Sequence, residues 1–311
     1  MDKITGLIGR DELVATVVAE IKKGKHVILT GPVGVGKSAV LRAALEKIEG
    51  KRLQDQSVLL ALNDHQAKGQ FVEMARQMLE LGVLTPSALG LPAKFHETEV
   101  EEFDWAEVRN QVNRMSIRDL THAIIPALAH SGKRVVIAVD DLTALTPTQM
   151  AFWLAIFNHA QVIGCASEKK ARVKKLWWKM REIEIKPLPP DAVREIVTRY
   201  ITEKGVLVES PELYISHLIK QAGGIPQAIH DMLDQSSKER IIDKRKVREM
   251  QHEAGVRYLD FSPVLIIVGA LIVSLRYVGM GTGDKILYMI SGISAAIFIS
   301  LRFFVFKGSG K

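Results

Sequence analysis

The sequence predicts an α/β fold: a parallel sheet sandwiched by helices, carrying a small all-helical subdomain and ending in a hairpin of two long apolar helices. Three observations carry that reading. Short apolar runs suited to buried strands alternate with helix-spaced segments up to residue 188. A glycine-rich octapeptide, GPVGVGKS, follows the first of those runs directly and opens a helix. Two greasy stretches occupy the end of the chain, after some 260 residues of ordinary polarity.

The elements follow in order. Leu13, Val14, Val17, Val18 and Ile21 recur at helical spacing over 11–21, and His26–Thr30 reads as a strand. After the octapeptide, residues 38–48 place Val40, Leu41, Ala44, Leu45 and Ile48 on one helix face, and Ser57–Leu62 reads as the second strand. Residues 66–81 are helical, 85–102 form a loop or insertion rich in Pro, Gly and acid, and 105–130 form a helix that Pro126 kinks or bounds. Arg134–Val139 is a buried strand, 148–158 a helix, Gln161–Cys165 a fourth strand and Glu182–Ile185 a fifth. Beyond Pro190 the pattern is helical at 191–203, 212–222 and 226–235, then 238–253 reads as a charged helix. The expected domains are therefore 1–188, 189–256 and 257–311, with apolar spans at 261–278 and 286–306.

With 47% apolar and 25% charged residues, the composition excludes a disordered chain. The formal charge of +7 fits nucleic acid, an anionic membrane surface or the basic excess on the cytosolic side of membrane proteins. One cysteine, Cys165, rules out an intrachain disulfide and a cysteine metal site, which fits a reducing compartment. The N-terminus lacks the basic start and apolar stretch of a secretory signal.

Residues 31–38 match G-x-x-x-x-G-K-[ST] in the strand-to-helix context that such a phosphate-binding loop needs. Gly31, Pro32, Val33, Gly34, Val35, Gly36, Lys37, Ser38 and Ala39 form the loop, whose main-chain N–H groups, Pro32 excepted, and helix N-terminus turn toward phosphate oxygens. Lys37 reaches the β and γ phosphates of ATP, and Ser38 ligates Mg²⁺. VVIAVDD, 135–141, puts Asp140 and Asp141 at the C-terminal edge of a buried strand, where open α/β sheets bind ligands. Asp140 is assigned to Mg²⁺ through water and Asp141 to the attacking water. A pair of turn aspartates capping the next segment is the plain alternative.

LIGRDEL (7–13), GPVGVGKS, VVIAVDD and GGIPQAI (223–229) occur in the order seen in AAA+ and STAND ATPases, P-loop NTPases that the chain resembles over 4–235. Its pattern looks most like the branch holding origin-recognition-type and archaeal-type ATPases. The resemblance implies that Gly9 and Arg10 lie near the adenine and that Gly224 and Pro226 bring a helical lid over the nucleotide. It also implies a polar sensor after the fourth strand, for which Ser167 stands, and an arginine reaching a neighbouring subunit, for which Arg172 and Arg181 both lie in the right stretch.

Residues 169–181, KKARVKKLWWKMR, combine seven basic residues with Trp177 and Trp178. A solvated helix face with inward tryptophans, lipid contact, nucleic acid and a neighbouring subunit are its readings, in which nucleic acid ranks behind lipid. Basic residues before the first apolar span and after the second place both termini in the cytosol of a two-span inner-membrane protein. Ser291, Gly292, Ala295 and Ala296 are expected to let the two spans approach closely. The function expected is a membrane-anchored, oligomeric ATPase remodelling or assembling a protein partner at the cytosolic face of the lipid bilayer. A nucleotide-gated signalling or defence switch with little turnover and a membrane-tethered DNA-handling ATPase are the alternatives.

Overall fold

The structure, a computed structural model, describes residues 8–49, 57–64, 66–95, 104–168, 170–237, 241–242, 247 and 262–308. The chain divides into two compact units, Met1–Gly255 and Val256–Lys311.

The first unit is built on a five-stranded parallel sheet in the order β2-β3-β4-β1-β5. Its strands are β1 (Val27–Thr30), β2 (Ser57–Leu62), β3 (Arg134–Val139), β4 (Gln161–Ala166) and β5 (Arg181–Glu184). β1, β3 and β4 are almost wholly buried because helices cover both faces. On one face α1 (Asp11–Lys22) and α2 (Lys37–Glu49) pack Val17, Ile21, Val40 and Ala44 against Val27, Leu29, Ile163 and Cys165. The other face, with Ile28, Ile137 and Val162, is covered by α3 (Ala67–Glu80), α4 (Trp105–Arg114), α5 (Ile117–His130) and α6 (Pro147–Ile156). Alternate strand residues feed the two cores, as the pleat requires.

Residues 105–130 form two helices rather than one. Ser116 breaks them: its hydroxyl accepts from the Asp119 amide while the Asp119 carboxylate accepts from the Ser116 amide, a closed capping box. Pro126 lies inside α5 without ending it. Thr146 and Gln149 close a second box at the start of α6. The 85–102 segment contains two 3-10 turns, Pro86–Leu89 and Ala93–Phe95, and Leu89 and Phe95 anchor it in the core. Residues 96–102 of that segment lie outside the described residues.

A short helix, α7 (Lys174–Trp177), links β4 to β5. The helical subdomain follows: α8 (Pro190–Lys204), α9 (Pro211–Ala222) and α10 (Pro226–Ser237), around Val193, Ile196, Tyr214, Leu218 and Ile229. Between them β6 (Leu207–Val208) pairs in parallel with β7 (Ile241–Ile242). The charged helix expected over 238–253 is thus replaced at 241–242 by a strand, where two consecutive isoleucines favour extended backbone. Most of that stretch lies outside the described residues.

The second unit is a pair of helices, α11 (Ser262–Thr282) and α12 (Lys285–Gly308), whose turn is capped by Asp284 accepting from the Ile286 and Leu287 amides. The reading of two membrane spans, with its inner-membrane location and cytosolic termini, is corrected here. Among the described residues no helix is long and apolar enough to cross a membrane. A span needs about 20 consecutive apolar residues. The apolar run of the first helix is interrupted by Arg276, whose guanidinium donates to the Tyr288 hydroxyl. Phe261 and the flanking basic residues Lys238, Arg240, Lys244, Arg245, Lys246, Arg248, Arg257 and Lys311 lie outside the described residues. The close helix approach also differs from expectation. A Cβ on Gly292 would meet nothing within 4 Å, whereas one on Gly269 would meet the Phe298 ring at 2.8 Å and one on Gly279 the Tyr288 backbone at 2.8 Å.

Candidate functional site

β1 runs out at Thr30, and the chain turns through residues 31–36 before α2 begins at Lys37. Gly34, at φ 77°, occupies a left-handed conformation that a side chain resists. A Cβ there would also lie 2.8 Å from the Gln227 Cβ. Val35 is buried beneath the loop and holds it to the α1–α2 core, while Val33 stands 77% exposed at the tip. Among the described residues the main-chain amides of Gly34, Gly36, Lys37, Ser38 and Ala39 donate to no protein acceptor. A helix start leaves such donors open, and with the helix dipole they form a seat for an anion. No acidic side chain stands within 31–39. This donor set fits a polyphosphate.

Lys37 Nζ folds back over the loop and donates to the carbonyls of Gly31 and Pro32, each at 2.9 Å. Burial pushes its ammonium below the ordinary lysine value, opposed by Cys165, Asp141 and Asp140 nearby. Asp140 and Asp141 thus lie near enough to Lys37 to act on its charge. Asp140 is half-buried, its amide donating to the Leu62 carbonyl, whereas Asp141 is exposed and its Oδ1 accepts from the Thr143 amide at 2.7 Å. Thr143, 8% exposed, in turn accepts from the Ser167 amide at 2.8 Å, tying the end of β3 to the end of β4.

Arg10 is 5% exposed, and burial pushes its guanidinium below the usual arginine value. Its Nη2 donates to the carbonyls of Val35 and Lys186, both at 3.0 Å. This side chain braces the phosphate loop against the segment leading into the helical subdomain. Gly9 packs on α8, where a Cβ would lie 3.3 Å from the Ala192 Cβ. The helical subdomain reaches the loop through 223–227: the Gln227 amide donates to the Gly34 carbonyl at 3.1 Å, and Pro226 lies beside Gly36. Gly224 cannot carry a side chain, since a Cβ would fall 2.4 Å from the Leu188 carbonyl oxygen, while its own carbonyl accepts from the Leu188 amide.

A cavity of about 810 Å³ opens beside the loop, lined by Thr30, Gly31, Pro32, Ser167, Glu168, Arg181 and Glu182 among others. Thr30 donates to Glu182 at 2.8 Å across it. Lys37, Ser38, Asp140 and Asp141 are not among its walls, so it adjoins the proposed phosphate seat rather than containing it. Arg181 lines this cavity beside its own chain's loop, Arg172 lies on the β4–β5 segment, and both are exposed. Thr30, Thr143, Glu182, Lys186 and Gln227 are the site residues that sequence reasoning passed over. Thr143 stood two places after the acidic pair and Gln227 directly after the G-x-P turn, so both were within reach; the Thr30 to Glu182 pairing depends on β5 lying beside β1 and was not.

A parallel sheet with a lysine-bearing loop after β1 and an acidic edge after β3 defines a P-loop nucleotide-binding protein. The family described as AAA ATPase domain matches residues 6–162, and the chain belongs to it. No match was found among curated proteins. Among solved structures, a Walker-type ATPase of Pyrococcus abyssi is similar at 16% identity and a TM-score of 0.49, covering 86% of this chain and 74% of that one. Two RuvB variants of Thermotoga maritima are similar at 14% identity. Their TM-scores are 0.45 and 0.43, with 90% and 91% of this chain and 83% and 84% of theirs covered.

Proposed function

We propose that this chain is an ATP hydrolase that couples binding and hydrolysis of Mg²⁺-ATP to movement of the helical lid, and that its copies assemble to remodel or assemble a protein partner. The observation that supports it most is the set of unpaired amides at Gly34, Gly36, Lys37, Ser38 and Ala39 beside Lys37, with Asp140 and Asp141 near enough to act on its charge. Mg²⁺-ATP supplies the polyphosphate and the hard cation that this donor set would hold. In this reading the open amides of Gly34, Gly36, Lys37, Ser38 and Ala39 bind phosphate oxygens, and Lys37 exchanges the Gly31 and Pro32 carbonyls for the β and γ phosphates. Ser38 and Asp140 hold Mg²⁺. Asp141, steadied by the Thr143 amide, orients the attacking water, and Ser167 stands at the γ end. Gly9, Arg10, Gly224 and Pro226 frame the site from the lid side. Arg172 and Arg181, both exposed, are the arginines offered for reaching a neighbouring copy.

Steady turnover and binding of a fluorescent ATP analogue test this together. Lys37→Ala should abolish binding, and Asp141→Asn should stop turnover while leaving binding intact. Retained affinity in Lys37→Ala would remove the loop from the reading. A second reading, a nucleotide-gated switch with little turnover, is favoured by the Gln227 amide seated on the Gly34 carbonyl, which ties the lid directly to the loop. Nucleotide binding with negligible turnover in every assembly state selects it.

A further inference from the structure

The segment between β4 and β5 has two sides with different chemistry. Val173 and Leu176 are buried at 1% and 0%, and the half-buried Trp177 packs against the same core with its Nε1 enclosed and without an acceptor. These three residues fix the segment to the domain. On the other side Lys170, Arg172, Lys174, Lys175 and Lys179 are exposed, and Trp178 stands 73% exposed with Lys174 Nζ 5.3 Å from its ring centroid. None of these five cations forms an ion pair among the described residues. The neighbouring Glu168, Glu182 and Glu184 line the cavity by Thr30 instead.

We propose that this exposed side is a binding surface for single-stranded nucleic acid, with Trp178 as the stacking platform and Lys174, Lys175 and Lys179 on the phosphates. An indole left in water forfeits a large apolar burial, and a nucleobase covers it without regard to sequence. Unneutralised cations around it match a polyanion, whose condensed counterions are released on binding. A duplex fits less well, because its bases are already stacked on each other. α7 is also a single turn, too short to follow a groove. The surface is independent of the ATP reading, since Trp178, Lys174, Lys175 and Lys179 have no role in that reading.

Fluorescence anisotropy of the full chain with a labelled oligothymidylate, measured across a salt series, tests this. Binding should weaken linearly in log salt. Trp178→Ala should weaken it about tenfold with little change in salt slope. The pair Lys174→Glu and Lys175→Glu should lower the slope by about 1.4, two phosphates at about 0.7 each. The milder pair Lys174→Gln and Lys175→Gln stands in if charge reversal harms folding, analogue binding at the phosphate loop reports the fold of the Trp178 and lysine-pair variants, and thermal unfolding reports that of Lys37→Ala. Lys37→Ala should bind oligothymidylate like the parent chain, which separates a failure of this surface from a failure of the ATP site. The proposal is overturned by no binding at low salt, by parent-like binding in the Trp178 and lysine variants, or by capture of phosphatidylglycerol vesicles in place of the oligonucleotide.

Discussion

Removing Arg10 discriminates between two roles for the same side chain. The resemblance to nucleotide-dependent switches puts it near the adenine, whereas the structure spends its guanidinium on the Val35 and Lys186 carbonyls, both at 3.0 Å. A hydrogen bond to a charged group contributes about 1.5–3 kcal/mol net. Arg10→Ala breaks two and leaves the Val35 carbonyl in a buried place. Water can reach the part-buried Lys186 carbonyl, so the loss expected is about 3 kcal/mol rather than the upper sum of about 6. For a unit of this size that lowers the melting temperature by roughly 10 °C. Fixing one residue's backbone costs about 1–2 kcal/mol, and a loop freed from its brace pays that on binding, so ATP affinity should fall about tenfold as well. Arg10→Lys should recover part of the stability, because one ammonium cannot span both carbonyls. Thermal unfolding and analogue titration measure the two effects on the same samples. An Arg10→Ala protein that melts normally but binds ATP weakly would refute the brace and return the side chain to the ligand.

The remaining predictions concern single contacts. Gly34→Ala places a methyl group against Gln227 in a left-handed conformation, so nucleotide binding should weaken and the lid contact loosen, visible as faster hydrogen exchange at the Gln227 amide. Ser116→Ala opens the capping box that separates α4 from α5 and should cost about 1 kcal/mol in urea unfolding, with ATP binding unchanged. His26 accepts the Val162 amide at Nδ1, and burial first, then Lys179, holds its pKa below the ordinary value. The unfolded chain then binds the proton more readily, so stability is full above about pH 6.5 and falls as pH drops toward the folded-state pKa. His26→Gln should flatten that acid limb in a series of melts, and an unchanged limb would assign it to other groups.

The sheet was legible because its strands are short apolar runs whose residues have no reason to sit anywhere but inside. Val27–Thr30, Val135–Val139 and Val162–Ala166 could be read from composition alone. What composition hides is any break decided by one polar side chain. Ser116 separates two helices within a stretch whose apolar spacing is continuous, and Asp119 three places later was the signal for it. Ile241–Ile242 belongs to a strand only because Leu207–Val208 offers it an edge, a pairing between residues more than thirty places apart. The phosphate loop announced itself through a motif that is chemically demanding. Arg10 did not, since a lone arginine before a helix gives no sign of which carbonyls will surround it. The apolar runs at the end of the chain were read as spans from their hydropathy, whereas among the described residues no helix is long and apolar enough to cross a membrane.

The contacts around the loop bear on how occupancy could be transmitted. Two carbonyls of the loop are held from outside it, Val35 by Arg10 and Gly34 by the Gln227 amide at the head of α10. Arg10 also holds the Lys186 carbonyl, and the Leu188 amide donates to the Gly224 carbonyl, three residues before Gln227. The 35–36 peptide plane carries the open Gly36 amide on one side and the Arg10-bound carbonyl on the other, so a rotation that improves phosphate contact there alters the Arg10 bond, and one of the neighbouring 34–35 plane alters the bond to Gln227 in the lid. A ligand that prefers one loop geometry then prefers one lid position by the same free energy, which is all that coupling requires.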